Sequence, residues 1–116
     1  MEACVEPVGA LDLGSPVPKD TTLSPGQAEA FRTLWEGSGS AVSVGVWECS
    51  PGRFTASRDD HHEICVILQG SATLEPVDGP GQALNPGDVV VLPLGWSGTW
   101  DVREQIRKVY VLVDRP

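Results

Sequence analysis

Glu63-Ile64-Cys65-Val66-Ile67-Leu68-Gln69-Gly70 begins on a carboxylate, runs through β-branched and apolar residues, and stops on a glycine. Such a run favours a pleated strand, and it is too short to be judged on helical periodicity. Alternate side chains of a strand point to opposite faces, so Glu63, Cys65 and Ile67 share one face.

The same pattern continues in both directions. Upstream, residues 41–49 and 53–58 read as strands joined at Ser50-Pro51-Gly52, and Asp59 to His62 as a polar turn. Downstream, Gly70 reads as a break, residues 71–77 as the next strand, and Asp78-Gly79-Pro80-Gly81 as its turn. A second tight turn, Asn85-Pro86-Gly87-Asp88, places Gly87 where a positive φ is needed. Residues 89–93, 98–103 and 106–113 complete the strands. Residues 24–36 fit two patterns: Ala28, Phe31, Leu34 and Trp35 would share a helix face, whereas Phe31, Thr33 and Trp35 alternate. The reading taken is a short turn and then a strand from Phe31 to Glu36. Pro7, Gly9, Gly14, Pro16 and Pro18 interrupt the start of the chain. Residues 1–30 therefore read as an N-terminal arm able to pair as an edge strand, and residues 31–116 as a single domain.

Many short strands without a covering helix require sheets that cover each other, which means a β-sandwich or barrel. Composition agrees. The chain has 116 residues, of which 41% are hydrophobic, with 13 Gly and 10 Pro: enough apolar material for one modest core, cut into short elements. The net charge of -8 argues against nucleic acid and anionic membrane as partners, and suits a neutral or cationic small ligand. The apolar runs at residues 64–68 and 89–94 are too short to span a bilayer. Cys4, Cys49 and Cys65 match no zinc or redox spacing and read as free thiols. Nothing after Met1 resembles a secretory leader, so the expected location is cytoplasmic.

Two blocks resemble the paired motifs of the cupins. The first keeps the Glu and Gly of its pattern in Glu63 to Gly70. The second keeps Gly, five residues and Pro-x-Gly in Gly87-Asp88-Val89-Val90-Val91-Leu92-Pro93-Leu94-Gly95. Further blocks, Gly45-Val46-Trp47-Glu48-Cys49-Ser50-Pro51-Gly52-Arg53-Phe54, Gly98-Thr99-Trp100 and Arg107-Lys108-Val109-Tyr110, are similar to the ureidoglycine-aminohydrolase-like small cupins and to the cupin part of ethanolamine-utilisation proteins. The resemblance implies an all-β fold, the cupin double-stranded β-helix or jelly-roll barrel, and a homodimer formed through edge strands or the arm.

It also implies a metal site of imidazoles and a carboxylate, from which this chain departs. The His positions of the first motif fall on Ser57 and Asp59, or on Ala56 and Arg58, according to spacing, and that of the second on Gly98. Only Glu63 remains. The expectation is no tightly bound metal and no cofactor. A weak set of Asp59, His61 and Glu63 can still be drawn, with His61 on the same side of the strand as Glu63. The competing reading of Asp59 to His62 is a solvated turn.

An inward Glu63 without a metal needs another partner, since an unpaired buried charge is costly. The resemblance points to Lys108. Such a pair serves either as a structural salt bridge or as the polar end of a ligand site. If it is a site, Glu63 and Lys108 would act as a catalytic acid–base pair, and Trp100, Tyr110 and His61 would contact a small-molecule ligand. Trp47 reads as packing and Cys65 as core. Three functions remain open: an enzyme that processes a small polar metabolite without metal, a binding or accessory cupin, and a structural partner.

Overall fold

The structure, a computed structural model, describes residues 2–115. Among these residues eight strands form in chain order: β1 (Val17–Pro18), β2 (Ala28–Glu36), β3 (Val42–Cys49), β4 (Gly52–Ser57), β5 (His61–Pro76), β6 (Gln82–Leu84), β7 (Val89–Leu92) and β8 (Ser97–Asp114). The only helical element among the described residues is a single 3-10 turn, Ser38–Ser40. Of the turns read from Pro and Gly, Asp78 to Gly81 reverses the chain between β5 and β6, whereas Ser50-Pro51-Gly52 does not make β4 a return strand: β3 and β4 run in one direction along β8, one on each half of it.

Two strands organise the rest. β5 and β8 pair antiparallel along nearly their whole length, from His61 opposite Asp114 to Pro76 opposite Gly98. The register slips between Ile67 and Ala72, so both strands bend there. Gly70, expected to end a strand, instead sits inside β5 at φ 84. A Cβ at Gly70 would collide with the Gln105 carbonyl of the neighbouring strand, so only glycine lets the two backbones cross this closely.

The bend divides the barrel into two facing sheets. In one, the first half of β5 and the second half of β8 are flanked by β7 on one side and by β3, β2 and β1 on the other. In the other, the second half of β5 and the first half of β8 are flanked by β6 and β4. β2 begins at Ala28, earlier than the alternation around Phe31 suggests, because Ala28 and Glu29 pair with Pro18 and Val17 of the arm.

Between the sheets lies the core: Cys49, Phe54, Cys65, Ile67, Leu74, Leu84, Leu92, Trp100, Val102 and Ile106, all buried. Phe54 and Trp100 stack with ring centroids 5.9 Å apart, and Trp47 meets both edge-on at 5.8 and 6.0 Å. Such aromatic geometry contributes beyond area burial alone. Besides the β1–β2 pairing, further contacts fix the arm. Thr22 bridges to Phe54, and the buried Arg107 donates from Nη1 to the carbonyls of Val8 (2.9 Å) and Leu11 (2.8 Å). Arg107 also pairs with Glu48 at 2.8 Å.

Candidate functional site

The inward faces of β5 and β8 carry Glu63, Cys65 and Ile67 against Lys108, Tyr110 and Leu112. Their register puts Glu63 opposite Leu112 and Lys108 opposite Ile67, so the two charged residues are not cross-strand neighbours. They meet because their long side chains extend toward each other along the inner face that the two strands share. Lys108 Nζ lies 2.6 Å from Glu63 Oε2, with both side chains almost wholly enclosed. At this distance Coulomb attraction between the two buried charges is strong. The ammonium also sits 4.5 Å from the ring centroids of both Trp47 and Trp100, where the negative π faces favour a cation.

A third ion completes the arrangement, and sequence reasoning missed it as a partner. Arg58, just past the end of β4, donates from Nε to Glu63 Oε1 at 2.9 Å and from Nη2 to the same oxygen. Its Nη1 donates to the Ser57 carbonyl at 2.8 Å. One carboxylate is thus held between two cations. Burial alone would raise the pKa of Glu63, but Lys108 and Arg58 outweigh it and hold the group at about 2.

Above this network opens a cavity of about 360 Å³. Trp47, Phe31, Phe54 and Leu112 give it apolar walls; Lys19, Arg58, His61, Glu63, Lys108 and Tyr110 give it polar ones. The sequence-derived residues are therefore brought together with one exception. Trp100 has no exposed surface and lies beneath Lys108, outside the cavity wall, so it supports the lysine and cannot touch a ligand in this arrangement. Its indole Nε1 is buried without a partner among the described residues. Trp47, read as packing, is the indole that faces the cavity, and its Nε1 donates to Glu29 at 2.8 Å. Tyr110 fits because Gly45 stands opposite it on β3 and leaves room for the phenol ring; burial raises its pKa.

His61 lines the cavity as strand parity requires, while His62 accepts a 2.9 Å hydrogen bond at Nδ1 from the Leu94 amide. Cys65 is a core thiol. Burial is the main reason its pKa is pushed up to about 12, which rules out a ready thiolate.

The donors present do not fit the metal site of the cupin fold. Both oxygens of Glu63 already face cations, Asp59 is exposed and accepts a 3.2 Å hydrogen bond from Ser57, and the remaining His positions carry Ser, Ala, Arg or Gly. Among the described residues no group of three His, Cys, Asp or Glu side chains comes together. A metal cation would have to enter where two fixed positive charges already flank the one carboxylate.

The model of the EutQ-like cupin domain matches residues 36–110, the span that holds β3 through Tyr110 of β8. The chain belongs to the EutQ-like cupin family. Among solved structures, this EutQ-like cupin is similar to a DUF861 family protein from Thermotoga maritima, with 34% identity over 56% of this chain and 73% of that one and a TM-score of 0.53. It also shares its fold with an ethanolamine utilisation protein Q from Salmonella typhimurium LT2, at 21% identity, 77% and 72% coverage and a TM-score of 0.66. Ectoine synthase from P. lautus superposes with a TM-score of 0.69 at 21% identity, covering 85% of this cupin and 69% of the synthase. No curated protein matches. No helix among the described residues is long and apolar enough to cross a membrane.

Proposed function

We propose that this cupin binds a small polar metabolite in the mouth of its barrel, at a site where an internal ion network stands in place of a histidine-held metal. The observation that carries the reading is the cavity of about 360 Å³ whose polar end is built from Lys108, Glu63 and Arg58 and whose walls include Trp47 and Tyr110. That volume lies at the small end of the usual range for ligand sites, and apolar walls with a few fixed polar groups are what such sites contain.

Binding is favoured over turnover by the state of Glu63. A general base works best with a pKa near the working pH. Glu63, held at about 2 with a cation on each oxygen, is a poor proton acceptor and a good electrostatic anchor for Lys108 and Arg58. The finer resemblance to ureidoglycine-aminohydrolase-like cupins supports the general shape of the pocket. The ammonia-releasing reaction is not carried over, because the imidazoles of the related metal site are absent from Ser57, Asp59 and Gly98. The same reading carries the homodimer expected from the sequence, which equilibrium sedimentation tests, and a reducing cytoplasmic setting for the free Cys4, Cys49 and Cys65.

A ligand that binds only the folded state raises the melting temperature saturably. Screening small amines, ureides, sugars and carboxylic acids by thermal shift is expected to give at least one saturable stabiliser, unchanged on recovery. Its effect should vanish in Ala56→Phe, which fills the cavity from β4. A screen with no saturable stabiliser, or one whose effect survives in that variant, speaks against this pocket.

A further inference from the structure

Three cations, Lys19, Arg58 and Lys108, line the cavity together with a single carboxylate, Glu63. Just outside the lining, Glu29 neutralises Lys19 at 3.2 Å. Glu63 is shared by Arg58 and Lys108, so one positive charge is left without a counter-ion. This happens in a protein whose net charge is -8, and at side chains that are only 15% and 8% exposed for Arg58 and Lys108. Surplus charge that far from water is costly unless an anion meets it.

The structure assigns a small organic carboxylate as the ligand of this cavity, with its anionic end on the Arg58 guanidinium and the Lys108 ammonium and its carbon skeleton against Trp47 and Phe31. The assignment rests on the binding role proposed above and names the class of molecule bound.

The donors are in place. A guanidinium has five N–H groups, and Arg58 uses one from Nε, one from Nη2 and one from Nη1 on Glu63 and Ser57. Two remain to be satisfied, one on each terminal nitrogen, the fork that matches a carboxylate. Lys108 has three N–H groups and a single carboxylate contact. Glu63 does not repel the incoming anion as a free carboxylate would, because each of its oxygens is covered by one of the two cations. The surplus of one charge matches a monoanion, whereas a phosphate dianion would overfill it. On the other side, Phe31 is 60% exposed although it lines the cavity, an apolar surface left open beside the cationic end.

Matched probes separate charge from shape: butyrate and benzoate, their amides, and the corresponding amines, with inorganic phosphate alongside. The readouts are the Trp47 indole N–H resonance and the melting temperature. The carboxylates are expected to shift that resonance saturably and to lose affinity as salt is raised, while amides and amines bind at least roughly tenfold more weakly. Arg58→Gln should weaken the carboxylates by roughly tenfold or more. Thr55→Glu, an exposed change on the cavity rim, gives the same ordering without disturbing the buried ions. If the amides, amines or phosphate bind as tightly as the carboxylates, the ligand class is wrong while the pocket stands. If no probe binds and the wider screen also yields nothing, the binding role itself falls.

Discussion

β8 builds two different interiors with one strand. Its first half turns the buried Trp100 and Val102 inward onto Phe54 and Leu74, in the packed apolar part of the core. Its second half turns Lys108 and Tyr110 inward onto an open cavity. The first half gains from filling space, because packed apolar groups need no particular partner. The second half keeps charges inside a barrel, which is tolerable only when each has a counter-charge or π face at hand. The lesson is that the bend at Gly70 and Gln105 separates an apolar, packed end from an end that carries buried ions and a cavity, without any change of element.

The contrast can be broken most sharply at Trp100. Trp100→Ala removes the largest fully buried side chain together with the stacked partner of Phe54. It should cost about 3–5 kcal/mol in denaturant unfolding, near the whole stability of a small domain. A loss below about 1 kcal/mol would mean that the packed end is not the stabilising one.

Glu63→Gln tests the other end. It leaves Lys108 and Arg58 facing each other without a carboxylate and should cost roughly 3 kcal/mol. The acid limb of stability follows from the same residue. The folded pKa of about 2 lies below the ordinary 4.5, so the contribution of Glu63 is complete above pH 4.5 and is lost as the pH falls toward 2. Melting temperatures measured down that range should drop more steeply for the native chain than for Glu63→Gln. Parallel curves would show that the ion network does not hold the mouth together.

The smallest effect is expected on the outer surface. Arg53 and Glu75 pair at 3.2 Å with side chains 50% and 40% exposed. Arg53→Ala should change the unfolding free energy by less than about 0.5 kcal/mol, which sets the scale for a charge pair outside the barrel. A larger loss would blur the distinction between buried and exposed ions on which the comparison depends.

The strands were legible because alternation and turn chemistry agree, but the direction of the chain was not: Asp78 to Gly81 marks a real reversal, whereas Ser50-Pro51-Gly52 and Asn85 to Asp88 carry the chain onward along β8 and β5 from one half of the barrel to the other. Gly70 was misread as a break because a positive φ within a strand looks, in sequence, like the end of one; what keeps β5 continuous is the partner strand. The Glu63–Lys108 contact was reachable from the cupin resemblance plus the cost of a lone buried charge. Arg58 was hidden for a different reason. It occupies one alternative imidazole position of the first motif, and it was weighed only as a lost ligand. A lost ligand replaced by arginine brings its own positive charge, and that is the signal to look for. Net charge misled in a similar way, since a total of -8 says nothing about the sign inside a cavity lined by three cations.

The strap held by Arg107 has a consequence for the order of assembly. Val8 and Leu11 are 99 and 96 residues away from the guanidinium that fixes them. On the ribosome the strap emerges long before its anchor, and it cannot dock until β8 has been made and has paired with β3. Contacts between such distant parts of a chain form slowly and late. The earlier-made segment is therefore among the last to find its place, and until then the apolar surface of Leu34 and Val44 lacks the cover of Val8.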